Sequence, residues 1–435
     1  MRTANMTTPA ALLATAATLT VLTAAGTAAA AEPVGVHAHA HASPLPPVSR
    51  LDGSGQCTYP AKQIKGTPWS LQRVLLDQLW KDTTGTFLAG KDKGKPVRVA
   101  VIDTGVDIKN PQLKDAVDAK SGADLLPKPK DKNKEAPPGG ATTDVVGHGT
   151  KVAGIIAARK AEGTGFVGIA PQATIIPIRQ NDEKGTGNTT TMATGIEKAV
   201  AAGADVINIS QDTATPLKAD SALEQAVEKA ISANVIIVAS AGNDGIDGKV
   251  KQTYPAAYEG VLAVGASDRN NERAAFSQSG DFVGVAAPGV EMVSTVPKGG
   301  QCVDNGTSFS APYVAGVAAL IRAKHYNWTP RQVVAQIEQT AERAVNAHDR
   351  YIGWGVVDPV RALNEDPHPI DHVTLNQGPA HNVEAPQPAA LAVGETPQQR
   401  EERLATYALG GTAVIVAVIT GAAIITRDRK RRRGA

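Results

Sequence analysis

The sequence predicts an α/β protein: a mostly parallel central sheet in a three-layer arrangement, plus one membrane-crossing helix near the C-terminus. Two observations predict it. Between residues 96 and 340, short runs of β-branched and aliphatic residues alternate with longer stretches of helical period. Strands that alternate with helices form parallel sheets covered on both faces. Beyond residue 403, an uncharged apolar stretch ends in a basic cluster.

The elements follow in order. Arg2 precedes an apolar run, Ala10 to Ala31, that closes on four alanines before Glu32-Pro33. A positive start, an apolar stretch and a small-residue exit read as a secretory signal peptide, residues 1–31; a retained membrane helix is the alternative. Residues 32–50 hold His37, His39 and His41 and a Ser-Pro-Leu-Pro-Pro run, a polar tract expected to be disordered. Trp69 to Trp80, with Leu71, Val74, Leu75 and Leu79, reads as a short helix. Strands are expected at 97–102, 173–178, 205–209, 235–239 and 261–265. Helices are expected at 150–160, 189–202, 219–233, 308–324 and 330–340. The last has Thr329 as N-cap and Pro330 in its first position. Residues 127–140, rich in Lys, Pro and Gly, read as a solvated loop.

Residues 365–403 are Pro-, Gln- and His-rich and read as a stalk. Leu404 to Thr426 carries no charge. At a rise of ~1.5 Å per residue it reaches about 34 Å, enough for a ~30 Å hydrocarbon core. The Arg- and Lys-rich tail, 427–435, is expected on the cytoplasmic side, which puts the rest outside.

Composition narrows the function. With 44 basic and 42 acidic side chains, the net charge of +2 lacks the basic field that a nucleic-acid partner demands. Aromatic residues make up 4% and Gly numbers 42, so the core is expected to rest on small and β-branched residues. The two cysteines, Cys57 and Cys302, suggest one disulfide in an exported chain, with two unpaired thiols as the alternative. Two thiols make a poor zinc site, and no dense oxygen-rich loop marks calcium. No metal and no cofactor are expected.

Three segments carry chemistry. Asp103 ends an apolar strand and is followed at once by Thr-Gly. Sites in open α/β sheets form at the carboxyl ends of strands, although a turn aspartate would look the same. His148 stands between Gly147 and Gly149 at the start of a small-residue helix. Imidazole titrates near neutrality and suits a general base. Ser308 lies at the start of another helix, in Asn-Gly-Thr-Ser-Phe-Ser-Ala-Pro. Orphan N–H groups and the dipole at that end favour a developing oxyanion, although a plain N-cap serine would also sit there.

In this order the three segments resemble the Asp, His and Ser motifs of the subtilisin-like (S8) serine proteases over residues 96–362. The resemblance implies a subtilisin-like catalytic domain over 96–364, preceded by an N-terminal extension, 32–95. It implies that Ser308 attacks the scissile carbonyl, His148 moves the proton and Asp103 orients the imidazole. The segment Val238 to Gly245 resembles the family's oxyanion segment, which makes Asn243 the oxyanion donor and places Ser240, Ala241 and Gly242 against substrate. Ser210, Gln211 and Asp212 stand where the family usually carries Ser-Leu-Gly on the substrate edge. Thr253 stands near the floor of the cleft for the residue before the cut, where Gly is common, and is expected to favour a small residue there.

The Pro-Trp segment before the Asp strand, Tyr313 after the Ser motif and the C-terminal anchor resemble the mycosins, membrane-anchored subtilisins of type VII secretion. That implies exported protein substrates and contact with the secretion membrane complex. The alternative is a scaffold of that complex with catalysis secondary. If Cys57 bonds Cys302, the extension is tied six residues before Ser308 and is expected to stay as a permanent wrap.

Overall fold

The structure is a computed structural model that describes residues 57–128, 136–215, 217–365, 368–375 and 397–433. The expected signal peptide, the tract 32–50, half of the 127–140 loop and the middle of the stalk lie outside the described residues.

Two short helices, α1 (Trp69–Gln72) and α2 (Leu76–Leu79), precede the sheet. The periodicity predicts one continuous helix here, and the chain breaks it at Leu75, whose ψ is 82°. The two indoles account for the break. Trp69 Nε1 donates to Val290 O and Trp80 Nε1 to Ile169 O, so each end is pinned to a different part of the domain. Leu71, Val74 and Leu79 stay buried, and Leu75 turns outward.

The sheet and its helices then follow as β1 (Arg98–Asp103), β2 (Ala123–Asp124), α3 (His148–Ala157), β3 (Thr174–Arg179), α4 (Thr189–Ala201) and β4 (Val206–Ile209). Next come α5 (Ala222–Ser232), β5 (Ile236–Ser240), β6 (Val261–Ser267) and β7 (Val285–Pro288). The seven strands lie in the order β2-β3-β1-β4-β5-β6-β7, and every adjacent pair is parallel. Alternate side chains of β1 divide between two cores. Val99 and Val101 pack with α3, and Ala100 and Ile102 pack with α4 and α5. This buries both faces and explains why the strands read as unbroken apolar runs.

A separate antiparallel hairpin, β8 (Met292–Thr295) and β9 (Gln301–Asp304), leads into α6 (Thr307–Lys324). Every residue of α6 except Lys324 is buried. Its small side chains permit that depth, since a Cβ on Gly316 would meet Ile169 Cβ at 2.7 Å. Next, α7 (Pro330–Thr340) carries the predicted Thr329 cap, as a full capping box with Gln332. In α8 (Pro359–Asn364), Asp358 caps Val360 and Arg361.

The N-terminal extension follows the hairpin. Ala61 N donates to Gly299 O at 3.0 Å, Gln301 N to Lys62 O at 3.2 Å, and Ile64 N to Gln301 Oε1 at 2.8 Å. Cys57 and Cys302 form a disulfide with Cα atoms 6.1 Å apart.

At the other end, residues 368–375 do not hang free as a stalk would. They lie along α7, with Arg331 Nε donating to Asp371 O at 3.0 Å and Thr374 N to Gln339 Oε1 at 2.8 Å. The last helix, α9 (Pro397–Arg433), outruns the predicted 404–426 span at both ends. Its flanks are rich in Gln, Glu, Arg and Lys, which are good helix formers. Its apolar window has a mean hydropathy of 2.3, and it is long and apolar enough to cross a membrane.

Candidate active site

Parallel strands deliver their carboxyl ends to one edge of the sheet. Asp103 ends β1, Ser210 follows β4, and Ser240 ends β5 and leads to Gly242 and Asn243. At this edge α3 begins with His148, and α6 begins one residue before Ser308.

Asp103 is fully buried, and its Oδ1 accepts from Thr104 N at 2.7 Å and from Thr104 Oγ1 at 3.2 Å. His148 Nδ1 stands 2.8 Å from Oδ1 and 2.9 Å from Oδ2. A carboxylate only accepts, so Nδ1 carries the proton and Nε2 is left as the base. The ring leans on Phe309, centroids 5.4 Å apart.

The loop that presents His148 is built around a second buried carboxylate. Asp144 accepts from Val146 N at 3.1 Å, Gly147 N at 2.7 Å, Thr150 N at 2.9 Å and Thr150 Oγ1 at 2.7 Å. Burial pushes its carboxyl above the ordinary range, while the Gly147 and Thr150 donors oppose. Gly147 has φ 87°, and a Cβ there would strike the Tyr59 hydroxyl. Tyr59, from the extension, donates to Val146 O at 2.7 Å. Its phenol is pushed up to about 12 by burial and by the charges of Asp144 and Asp304. Thr104 joins the two halves, since its Oγ1 accepts from Gly149 N at 2.9 Å.

Ser308 is held by an exchange with Ser210. Its Oγ donates to Ser210 O at 3.1 Å, and Ser210 Oγ donates to Ser308 O at 2.8 Å. Pro312, four residues on within α6, explains why that carbonyl is available. Proline has no N–H, so the helix ladder leaves Ser308 C=O unclaimed. Asn208 Nδ2 supports Ser210 Oγ at 2.9 Å. The Ser308 hydroxyl thus donates to a main-chain oxygen and not to the imidazole.

Asn243 is fixed by Thr307, whose N and Oγ1 each donate to Asn243 Oδ1 at 2.9 Å. With Oδ1 engaged, Nδ2 is the end left to donate. Thr307 Oγ1 also accepts from Gly242 N at 3.3 Å.

The expected substrate edge is placed unevenly. Gln211 turns away from it. Its side chain is buried, bonded to Gln180 Nε2 and donating to Ile102 O at 3.3 Å, so it supports β1 from within the sheet. Asp212 is buried against Gly242, where a Cβ would lie 3.0 Å from Asp212 Oδ2 and 3.1 Å from Thr253 Cγ2. Thr253 Oγ1 donates to Ala241 O at 2.8 Å, and paired bonds between Thr213 and Tyr254 close the far end. Ser240 and Ala241 are buried in the wall.

Sequence reading missed Thr104, Asp144, Thr307 and the buried pair of Lys151 with Asp304, 2.6 Å apart. Thr104 and Thr307 adjoin motif residues, and Asp144 precedes His148 by one helical turn. Their polarity was visible, and their partners were not.

Residues 94–355 match the model of the peptidase S8 subtilase family. Subtilisin E of Bacillus subtilis is 39% identical over 266 residues, which cover 61% of this chain and 65% of that protein. The chain thus spans just under two thirds of that relative's length. The solved structure of MycP1 with its N-terminal propeptide removed has a TM-score of 0.59 and 32% identity, covering 69% of this chain and 98% of that one. MycP3 protease from the type VII (ESX-3) secretion system has a TM-score of 0.60 and 32% identity, covering 74% and 95%. With motifs, sheet order and similarity in agreement, the chain belongs to the subtilase family and is of the mycosin type within it.

Proposed function

We propose that this chain is a membrane-anchored, extracytoplasmic serine endopeptidase that processes proteins exported by a type VII secretion system. The observation that carries the reading is the Asp103–His148 contact, 2.8 and 2.9 Å, beside a serine in the first turn of α6.

The chemistry follows from the parts. Ser308 Oγ exchanges its bond to Ser210 O for one to His148 Nε2 as substrate seats; such bonds commonly tighten only in the substrate complex. His148 takes the seryl proton as Oγ adds to the scissile carbonyl. Asp103 stabilises the imidazolium, and Thr104 keeps the carboxylate oriented. The oxyanion faces Asn243 Nδ2 and the Ser308 N–H in the first turn of α6. His148 then protonates the leaving amine, and water, activated by the same imidazole, releases the acyl group.

Exported substrates and the secretion complex are inferred from the structural neighbours, one of which is a type VII protease. The anchor is inferred from α9, with its basic end in the cytoplasm and the peptidase domain outside. The extension stays on the domain as a permanent wrap, held by Cys57–Cys302 and the bonds of residues 61–64.

Replacement of Ser308 by Ala in the producing cell tests this reading. It predicts more than about 10⁴-fold slower processing of exported substrates. Unchanged processing would overturn it. Secretion measured in the same cells separates catalysis from scaffolding, since only a scaffold is indifferent to the hydroxyl.

A further inference from the structure

The turn that presents His148 is gripped from two sides. Gly147, the residue before it, has φ 87°, and its side makes no cap for the first turn of α3. A glycine there is free to sample many conformations, and the helix start that it carries moves with it. One peptide unit of this turn is held at both ends. Gly147 N donates to Asp144 Oδ1 at 2.7 Å, and Val146 O accepts from the Tyr59 hydroxyl of the N-terminal extension at 2.7 Å. A peptide unit is planar, so fixing its N–H and its C=O fixes its orientation and the direction in which the chain enters α3. A Cβ on Gly147 would overlap the Tyr59 hydroxyl, so the glycine leaves the room that this contact needs.

From this geometry we infer that Tyr59 is a positioning residue for His148, which makes the extension a working part of the catalytic machinery and not only a wrap around it. The inference rests on the peptidase reading above and adds to it a residue that lies outside the family-matched segment, 94–355.

Tyr59 is itself fixed in place. Cys57, just before it, is bonded to Cys302, and just after it Ala61 N donates to Gly299 O at 3.0 Å. Thr58 and Pro60 on either side are exposed, while the Tyr59 ring turns in. Burial and the charges of Asp144 and Asp304 push its phenol up to about 12, so it stays a donor wherever an imidazole acts as a base. Its bond goes to Val146 O and not to the imidazole, so its effect passes through the turn. One hydrogen bond is worth about threefold to tenfold. A reacting group misplaced by about 1 Å costs up to about a hundredfold in rate. A loosened turn should therefore slow the proton transfer and spare substrate binding, because what it moves is the imidazole.

The test uses the full chain in membrane vesicles, with p-nitrophenyl acetate as the probe and Ser308→Ala as the blank. Tyr59→Phe, which keeps the ring and removes only the hydroxyl, is expected to lower kcat about tenfold and to leave KM within about twofold. Thr58→Ala, at the exposed neighbour, is expected to leave both unchanged. Gly147→Ala gives an independent arm. It should slow hydrolysis by a larger factor in the wild type than in a Tyr59→Ala background, because the overlap is then gone. An unchanged kcat in Tyr59→Phe, a change confined to KM, a Thr58→Ala variant as slow as Tyr59→Phe, or equal slowing by Gly147→Ala in the two backgrounds overturns the proposal. Wild-type chain that hydrolyses no faster than Ser308→Ala, with no labelling of Ser308 by a fluorophosphonate, would overturn the peptidase reading and this proposal together.

Discussion

Replacing both cysteines, Cys57→Ser with Cys302→Ser, should lower the melting temperature of the domain and leave its catalysis nearly intact. The bridge closes a separation of 245 residues. In the chain-entropy account, a loop of that length removes about 18 cal/mol/K from the unfolded ensemble, or about 5.5 kcal/mol at 25 °C. Unfolding entropy near 2.1 cal/mol/K per residue, over roughly 300 ordered residues, gives about 0.65 kcal/mol/K for the domain. The expected fall in melting temperature is therefore about 8 °C by scanning calorimetry under oxidising conditions. At 25 °C, kcat/KM should stay within about twofold, because β9 is also held by β8 and by the Lys151–Asp304 pair. A fall below about 2 °C would refute the entropic argument, and a large loss of activity would show that the bridge positions Ser308.

Lys151→Met should destabilise the domain by about 3–5 kcal/mol by chemical denaturation, because it takes the cation away from the buried Asp304 carboxylate. Thr307→Val should lower kcat about tenfold with little change in KM, since it removes one of the two bonds that hold the Asn243 amide, whose loss in oxyanion sites costs about 10²–10³. Glu338 gives a pH effect. Burial pushes its carboxyl up to about 7, with Arg343 opposing. The folded state therefore holds that proton more tightly than the unfolded chain does. The contribution is full below the ordinary carboxylate range and is lost as pH rises toward 7 and beyond. Between pH 4.5 and 8 the wild type should lose up to about 3 kcal/mol more than Glu338→Gln, measured by urea unfolding.

Much of the fold was legible because β1, β3, β4, β5 and β6 are buried on both faces and carry unbroken apolar runs. The strands β2 and β7 and the β8–β9 hairpin were not, because Ala-Asp, Val-Ala-Ala-Pro, Met-Val-Ser-Thr and Gln-Cys-Val-Asp carry no unbroken aliphatic run. Asp103, His148 and Ser308 were visible because each sits beside residues that only a tight backbone demands. What surrounds them depends on pairing across the chain. Asp144, 41 residues from Asp103 in sequence, serves the same histidine only because β1 and α3 meet. Gln211 shows the reverse failure. Its position marks the substrate edge, yet its direction is decided by Gln180 and Ile102, which a local reading does not include. The tether at 368–375 reads as a stalk from composition, and its bonds to Arg331 and Gln339 are long-range.

The proposed function stands on Ser308 being a nucleophile activated by His148 and Asp103. The most direct measurement is labelling of the oxidised ectodomain with a fluorophosphonate, followed by peptide mass spectrometry. One label per chain is expected on Ser308, lost in Ser308→Ala and strongly slowed in His148→Ala. No label on Ser308, or equal labelling after His148 is removed, would contradict it.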